Sequence, residues 1–331
     1  ALVDPAAGSV LSIAEALTNI VWAPLSEGLD SVSLSANWMW PCKNEGEDAR
    51  LYRAVEACSD FACSLGINIP TGKDSLSMTQ KYGKDKVYSP GTVIISAGAE
   101  VSDIRKVVSP VLRTGVDSMV YYIDFSFDKL KLGGSAFAQS LDKIGKEVPT
   151  VQDSEYFANA FNAVQELINK ELILAGHDIS AGGMITTMLE MNFANTEGGL
   201  EVSLDEIPEK DLVKILFSEN PGILIQVEKT DEVEKILKKA GVAFIRLARP
   251  CDERHLLIHK DRADYQFFID HLRDVWFESS YLLDRKQSGE KQPKTASSTT
   301  RNNRCNSVSP IRSRERSPNT VSRPTVAHAP V

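Results

Sequence analysis

The chain has 331 residues, of which 42% are hydrophobic and 25% charged, enough apolar content for about two domains with buried cores. A formal charge of −8 argues against a protein that tracks a phosphate backbone, and the one basic stretch, Pro293 to Val331, stands apart from an acidic body. The five cysteines (Cys42, Cys58, Cys63, Cys251, Cys305) form no C-x-x-C pair, so reduced thiols and a cytoplasmic setting are expected. No apolar run approaches the roughly 20 residues that cross a bilayer, and the start at Ala1-Leu2-Val3-Asp4 has no signal-peptide pattern.

From Ser9 to Trp22, Val10, Ile13, Leu17 and Ile20 recur at helical spacing, and the pattern stops near Pro24. Ser31 to Trp38 instead alternates, with Val32, Leu34, Ala36 and Trp38 on one side, as a half-buried strand does. Glu47 and Asp48 open a second helix whose stripe Leu51, Val55, Cys58, Ala62 and Leu65 ends at Gly66. The polar segment Pro70 to Ser75 reads as a loop, Thr92 to Ala99 as a strand, and Ser109-Pro110 as a boundary.

Beyond that boundary the order of strands and helices indicates an α+β domain. Met119 to Phe125 reads as a strand, and Asp153-Ser154 caps a helix with Phe157, Phe161, Val164 and Ile168 on one face. Leu172-Ile173-Leu174 leads into a His177 to Gly183 turn, with a helix from near Met184. Ile223 to Val227 precedes a helix capped by Thr230, supported by Glu234 and Lys238 at i,i+4, and stopped by Gly241. A last helix aligns Tyr265, Phe268, Leu272 and Val275 and ends near Trp276. From about Lys286 the composition cannot build a core, so residues 286–331 are expected to be an unstructured tail.

Candidate chemistry sits in few places. Glu15 and Asn19 project oxygens one helical turn apart, which suits a hard cation such as Mg²⁺, but polar pairs at this spacing also line any exposed helix face. The turn His177-Asp178-Ile179-Ser180-Ala181-Gly182-Gly183 has two readings: N–H groups open to a phosphate, or a helix start capped by Asp178 or Ser180. His177 reads as structural, since no second histidine or cysteine lies nearby to complete a metal set. Gly72-Lys73-Asp74-Ser75 and Gly133-Gly134-Ser135 fail the P-loop pattern and read as ordinary turns. His255 and His259 lie in a segment that reads as a strand.

Five runs occur in order: Glu15-Ala16-Leu17-Thr18-Asn19, Leu34-Ser35-Ala36-Asn37-Trp38-Met39, Gly46-Glu47-Asp48-Ala49, Gly72-Lys73-Asp74-Ser75-Leu76-Ser77-Met78 and His177-Asp178-Ile179-Ser180. On these the chain resembles the large single-chain phosphoribosylformylglycinamidine synthases over about Asp4 to Gln287. The resemblance implies a truncated N-terminal lobe of the aminoimidazole-ribonucleotide-synthetase type over residues 1–108 and the matching C-terminal lobe over 109–285, together the second half of the synthetase region. It implies that Glu15, Asn19 and Asp178 hold Mg²⁺ and that Ser180 contacts an adenine nucleotide, ATP or ADP. That second site is expected to be auxiliary and structural, with turnover in the first half. Ala181 departs from the family, where many relatives carry Asp, and another aspartate of the metal set would lie before Ala1, so the ligand set is expected to be incomplete.

The family's reaction converts formylglycinamide ribonucleotide to the amidine with ATP and glutamine-derived ammonia, in purine biosynthesis. Phosphorylating the amide oxygen creates a leaving group that ammonia displaces. Without the first synthetase half and the glutaminase domain, the chain is expected to be inactive alone. An unpaired N-terminal lobe also exposes a sheet edge, which predicts self-association.

Ser309 to Pro318 resembles an Arg/Ser segment, which gives the alternative of a non-enzymatic nucleotide-binding scaffold with a nucleic-acid-binding tail. Regrouping the codons from Ala296 by one base instead permits an aromatic-rich linker of the kind expected before the glutaminase, so a shifted frame is the preferred reading of the tail. A free-standing aminoimidazole-ribonucleotide or selenophosphate synthetase is opposed by the Leu34 to Met39 run and by the missing Gly-rich opening.

Overall fold

Asp4 starts the first helix four residues before its apolar periodicity begins. In a computed structural model, which describes residues 1–289, its carboxylate accepts the N–H groups of Ala6 and Ala7 at 2.9 and 3.1 Å, with Pro5 in the first turn. The resulting helix α1 (Pro5–Ile20) buries Ile13, Ala14 and Leu17 and leaves Glu15 and Asn19 exposed. Strand β1 (Ser33–Met39) buries Leu34, Ala36 and Trp38 alternately, as its sequence requires. Helix α2 (Glu47–Ser64) then leads to β2 (Asn68–Ser75), a two-stranded hairpin β3 (Thr79–Tyr82) and β4 (Asp85–Tyr88), and β5 (Thr92–Gly98).

β1 is the middle of a three-stranded sheet, parallel to β2 and antiparallel to β5. The segment Pro70 to Ser75, expected to be a loop, is therefore a strand, and so is the supposed turn Gly72 to Ser75. Gly72 explains it: a Cβ there would stand 2.0 Å from the carbonyl oxygen of Ala36, so only glycine lets β2 run this close to β1. Being mostly exposed, β2 shows none of the apolar alternation that reveals a strand.

The rest of the chain forms β6 (Met119–Asp124), α3 (Ala136–Ser140), α4 (Ser154–Asn169), β7 (Ala175–Ile179), α5 (Gly183–Phe193), β8 (Gly199–Ser203), α6 (Leu212–Phe217), β9 (Gly222–Val227), α7 (Thr230–Lys239), β10 (Phe244–Cys251), β11 (His255–Lys260), β12 (Ala263–Phe268) and α8 (Ile269–Ser288). Its strands make one mixed sheet in the order β12-β11-β8-β10-β6-β9-β7, in which only β8 and β11 run parallel. The strand expected at Leu172 starts at Ala175, which places His177 and Asp178 on β7 and shrinks the turn to Ser180–Gly182. Tyr265 and Phe268 belong to β12; their helical spacing with Leu272 is coincidental, and α8 runs past Trp276 to Ser288. The expected tail lies, from residue 290 on, outside the described residues. No helix among those residues is long and apolar enough to cross a membrane.

β9 is buried along its whole length, and its side chains divide between two cores. Ile223, Ile225 and Val227 join Tyr121 and Ile123 against α1, α2, α4 and α7, whereas Leu224 joins Val120 and Tyr122 against α5, α6 and α8. The first core therefore unites chain from both sides of Ser109, and a ladder of edge-to-face rings, Phe61 on Phe157 at 5.6 Å and Phe157 on Phe125 at 5.3 Å, runs through it.

Glu234 of α7 fastens that helix to the sheet. Lys238 Nζ donates to its Oε2 at 2.9 Å, while Arg246 Nε and the Tyr121 hydroxyl donate to its Oε1 at 2.7 and 2.9 Å. Lys238 first, then Arg246 and Tyr121, hold its carboxyl down at about 2. A depressed carboxylate stabilises the fold above its unfolded value of about 4.5 and loses that contribution as pH falls through about 2. In urea denaturation across this window, Glu234→Gln is expected to be less stable at neutral pH and to fall less steeply with acid than the wild type; parallel curves would contradict this.

Candidate functional site

The C-terminal end of α1 is seated on β7 by three contacts. Gly176 carries no side chain because the Trp22 ring occupies its place: a Cβ there would stand 2.1 Å from the ring atom Cζ3. Residues 108–109 lie between the two segments, with Val108 N–H donating to Trp22 O at 2.9 Å and Gly176 N–H to Ser109 O at 3.0 Å. Buried Gln165 of α4 then ties down the chain leaving α1, donating to the carbonyls of Val21 and Ala23 at 2.6 and 3.1 Å and accepting Leu25 N–H at 2.8 Å.

This seating brings together residues 159 apart in sequence: Asn19 Nδ2 lies 3.4 Å from Asp178 Oδ2, and also donates to Glu15 O at 2.9 Å. Asp178 is buried, while Glu15 stands on the rim of a cleft of about 260 Å³ that is also lined by Ser180, Ala181, Glu219, Lys131 and the Gly133–Ser135 turn. Asn19 opens onto a neighbouring cleft between α1 and β5, and Glu15 borders both. All four sequence-assigned residues, Glu15, Asn19, Asp178 and Ser180, thus cluster at one corner of the molecule.

The charge of that corner is negative. Desolvation, then the carboxylates of Asp178 and Glu219, push the Glu15 carboxyl above its ordinary range. Beside Asp178, His177 Nδ1 lies 2.9 Å from the Asp178 backbone oxygen and 3.3 Å from its carboxylate Oδ1, and Nε2 lies 3.3 Å from Glu190. Burial pulls the imidazole down, but these two carboxylates outweigh it and raise it to about 9, so it is a fixed cation at neutral pH.

Neither side chain named as a possible cap serves the helix after the turn. The N-cap of α5 is Gly182, at φ +93°, and its N–H goes to Glu219 Oε1 at 2.8 Å, while Gly183 N–H returns to Ser180 O at 3.0 Å. Both N–H groups are therefore spoken for within the protein. The Gly133-Gly134-Ser135 segment is the turn its sequence suggests, with Gly133 and Gly134 N–H bonded to Glu147 O and Ile144 O and Ser135 capping α3. Glu219 and Glu190 escape sequence reasoning because a single polar residue in a loop or on a helix face has no periodicity to betray it.

The donors suit a hard cation in kind, since Glu15, Asp178 and Ser180 offer oxygens and Asn19 has an amide oxygen beside the Nδ2 that faces Asp178. Among the described residues, no three His, Cys, Asp or Glu side chains are grouped to hold a metal ion by themselves. A cation here would complete its shell with amide, hydroxyl, water or phosphate oxygens, as Mg²⁺ commonly does.

Residues 1–100 match the model of the FGAR-AT PurM N-like domain, and residues 120–256 that of the AIR synthase related protein C-terminal domain. Over 86% of its length the chain is 38% identical to a probable phosphoribosylformylglycinamidine synthase, chloroplastic/mitochondrial, of Arabidopsis thaliana, and over 87% it is 35% identical to the phosphoribosylformylglycinamidine synthase of Homo sapiens. The chain belongs to the phosphoribosylformylglycinamidine synthase family. It spans 20% and 22% of those two relatives, about a fifth of each. Thermotoga maritima PurL complexed with FGAR superposes with a TM-score of 0.62 at 15% identity, over 82% of this chain and 44% of PurL. The hydrogenase maturation protein HypE in complex with ATP shares the fold more distantly, with a TM-score of 0.55 at 13% identity over 78% of each chain. The expected lobes of the aminoimidazole-ribonucleotide-synthetase type are thus both present.

Gly176→Ala tests the seating of α1. The added methyl displaces Trp22 and is expected to cost about 1–3 kcal/mol, read by denaturant unfolding, with the fluorescence of Trp22 altered in the folded state. A variant as stable as the wild type, with an unchanged spectrum, would contradict the geometry.

Proposed function

We propose that this chain is the auxiliary half of the synthetase region of a phosphoribosylformylglycinamidine synthase and that its cleft holds an Mg²⁺-complexed adenine nucleotide. The observation that carries the reading is the meeting of Asn19 and Asp178 beside the cleft that Glu15 and Ser180 line. Glu15, Asn19 and Asp178 would hold the ion, which neutralises phosphate charge when bound. Ser180 supplies a hydroxyl at the cleft wall, and His177, pinned between Asp178 and Glu190, fixes the orientation of the Asp178 carboxylate from behind. The structural relatives add support, since Thermotoga maritima PurL is known in complex with ATP and with ADP.

On this reading residues 1–108 and 109–285 are the two lobes, and the chain works beside the first synthetase half and the glutaminase of the same enzyme, which together convert formylglycinamide ribonucleotide to the amidine. Self-association through the exposed β2 edge follows if that first half is absent. The four cysteines among the described residues are free thiols, which fits a reducing cytoplasm. The Arg/Ser segment on which a nucleic-acid-binding scaffold would rest lies outside the described residues.

Binding to the folded state alone stabilises a protein by about 2.7 kcal/mol at a hundredfold excess over Kd. Mg-ADP is therefore expected to raise the melting temperature of the wild type, with the shift lost in Glu15→Ala and in Asp178→Ala, while a coupled assay shows no ATP- and ammonia-dependent amidine from the chain alone. No shift in the wild type at millimolar Mg-ADP would overturn the reading.

A further inference from the structure

Two walls of the cleft come from segments far apart in the chain: the Ser180–Gly182 turn before α5 and the Gly133–Ser135 turn before α3. Among the described residues, one carboxylate links the first turn to Ala136, the residue that directly follows the second. Glu219, in the loop between α6 and β9, accepts Gly182 N–H at 2.8 Å and Ala136 N–H at 2.7 Å, both on Oε1. Its own loop is held independently: Ser218 N–H donates to Lys214 O at 3.1 Å, and the Asn220 amide donates to Ser126 Oγ and Lys129 O, each at 3.1 Å. Glu219 therefore reaches from an anchored loop to two turns, and itself lines the cleft.

The two turns both lie near Phe217, whose ring stacks on that of Phe137 in α3 at 4.6 Å and whose backbone lies against Gly183, and Glu219 adds the hydrogen bonds between them. Each is internally tied, Gly183 to Ser180 and Gly133 and Gly134 to the 144–147 segment, but those bonds set the shape of each turn and not the gap between them. Gly182, at φ +93°, has no room for a side chain, since a Cβ there would stand 2.3 Å from Thr186 Oγ1, and its N–H is the one that meets Glu219. One oxygen that accepts from two amides is an effective clasp, since each bond satisfies a backbone N–H that would otherwise lose its partner.

We propose that Glu219 is a positioning residue of the nucleotide cleft, which clasps the Ser180–Gly182 and Gly133–Ser135 turns at the separation the ligand needs and closes the Gly182 N–H to phosphate. The inference rests on the nucleotide reading of the cleft and extends it to a residue outside the set Glu15, Asn19, Asp178 and Ser180. Phosphate then enters through its cation and the Ser180 hydroxyl, and the glycine turn acts as a wall.

The clasp needs an acceptor oxygen at this point and no net charge, which separates it from a role as a metal ligand. Calorimetric titration of the full chain with Mg-ADP is expected to show Glu219→Ala weakened about tenfold or more, and Glu219→Gln, whose amide oxygen can accept both N–H groups, within a few-fold of the wild type at unchanged Mg²⁺ dependence. Glu219→Gln as weak as Glu219→Ala would overturn the clasp in favour of a charge acting on the cation, and full affinity in both variants would overturn it outright. Amide hydrogen exchange gives a readout that needs no ligand: Ala136 and Gly182 should exchange faster in Glu219→Ala and at the wild-type rate in Glu219→Gln. If the wild type fails to bind Mg-ADP while exchange follows this pattern, the nucleotide reading falls and the clasp between the turns stands; unaltered exchange in Glu219→Ala removes the clasp whatever the ligand.

Discussion

Gln165 holds the chain that leaves α1, and with it the position of the helix end beside the cleft. Its amide, buried on α4, satisfies two carbonyls and one N–H of the chain leaving α1. A buried polar group without a partner costs about 1–3 kcal/mol, so the bend after α1 is held where those three bonds can form together. With the bend fixed, Trp22 covers Gly176 and Asn19 arrives against Asp178, two residues farther along β7.

The layering of the fold makes this possible. β9 separates two cores, and the chain before Ser109 contributes to only one of them, through α1, α2 and β1. α1 packs against α2 and β5, and its C-terminal end reaches the edge strand β7, where Trp22 covers Gly176 and Asn19 meets Asp178. The site forms at this seam, where one helix supplies Glu15 and Asn19 and the facing strand and turn supply Asp178 and Ser180. Negative charge gathers there because burial is cheapest for carboxylates that have partners: Asp178 has His177 and Asn19, and Glu219 has two backbone amides.

Apolar periodicity made much of this fold legible. α1, β1, α2, α4 and α7 each bury one stripe or alternate residues, and the spacing of Ile13 and Leu17 or of Leu34 and Ala36 says so directly. β2 was hidden because an exposed edge strand needs no apolar face, and what builds it is the room left by Gly72 beside Ala36. Tyr265 and Phe268 misled for the opposite reason, since the i,i+4 spacing of Phe268 and Leu272 crosses from the end of β12 into α8. For the cleft, spacing alone left Glu15, Asn19, Asp178 and Ser180 ambiguous, and the family pattern singled them out. Glu219, His177 and Glu190 act through tertiary contacts with partners far along the chain or on another element, which no local pattern encodes.

On the proposed reading, the bonds of Gln165 fix the end of α1 beside β7 and thereby shape the site for an Mg-nucleotide. Gln165→Leu alters no residue of the cleft itself and removes the buried bonds behind α1. Calorimetric titration of that variant with Mg-ADP, at a temperature where it remains folded, is predicted to show affinity weakened about tenfold or more relative to wild type. Wild-type affinity in a folded but destabilised Gln165→Leu would contradict the account.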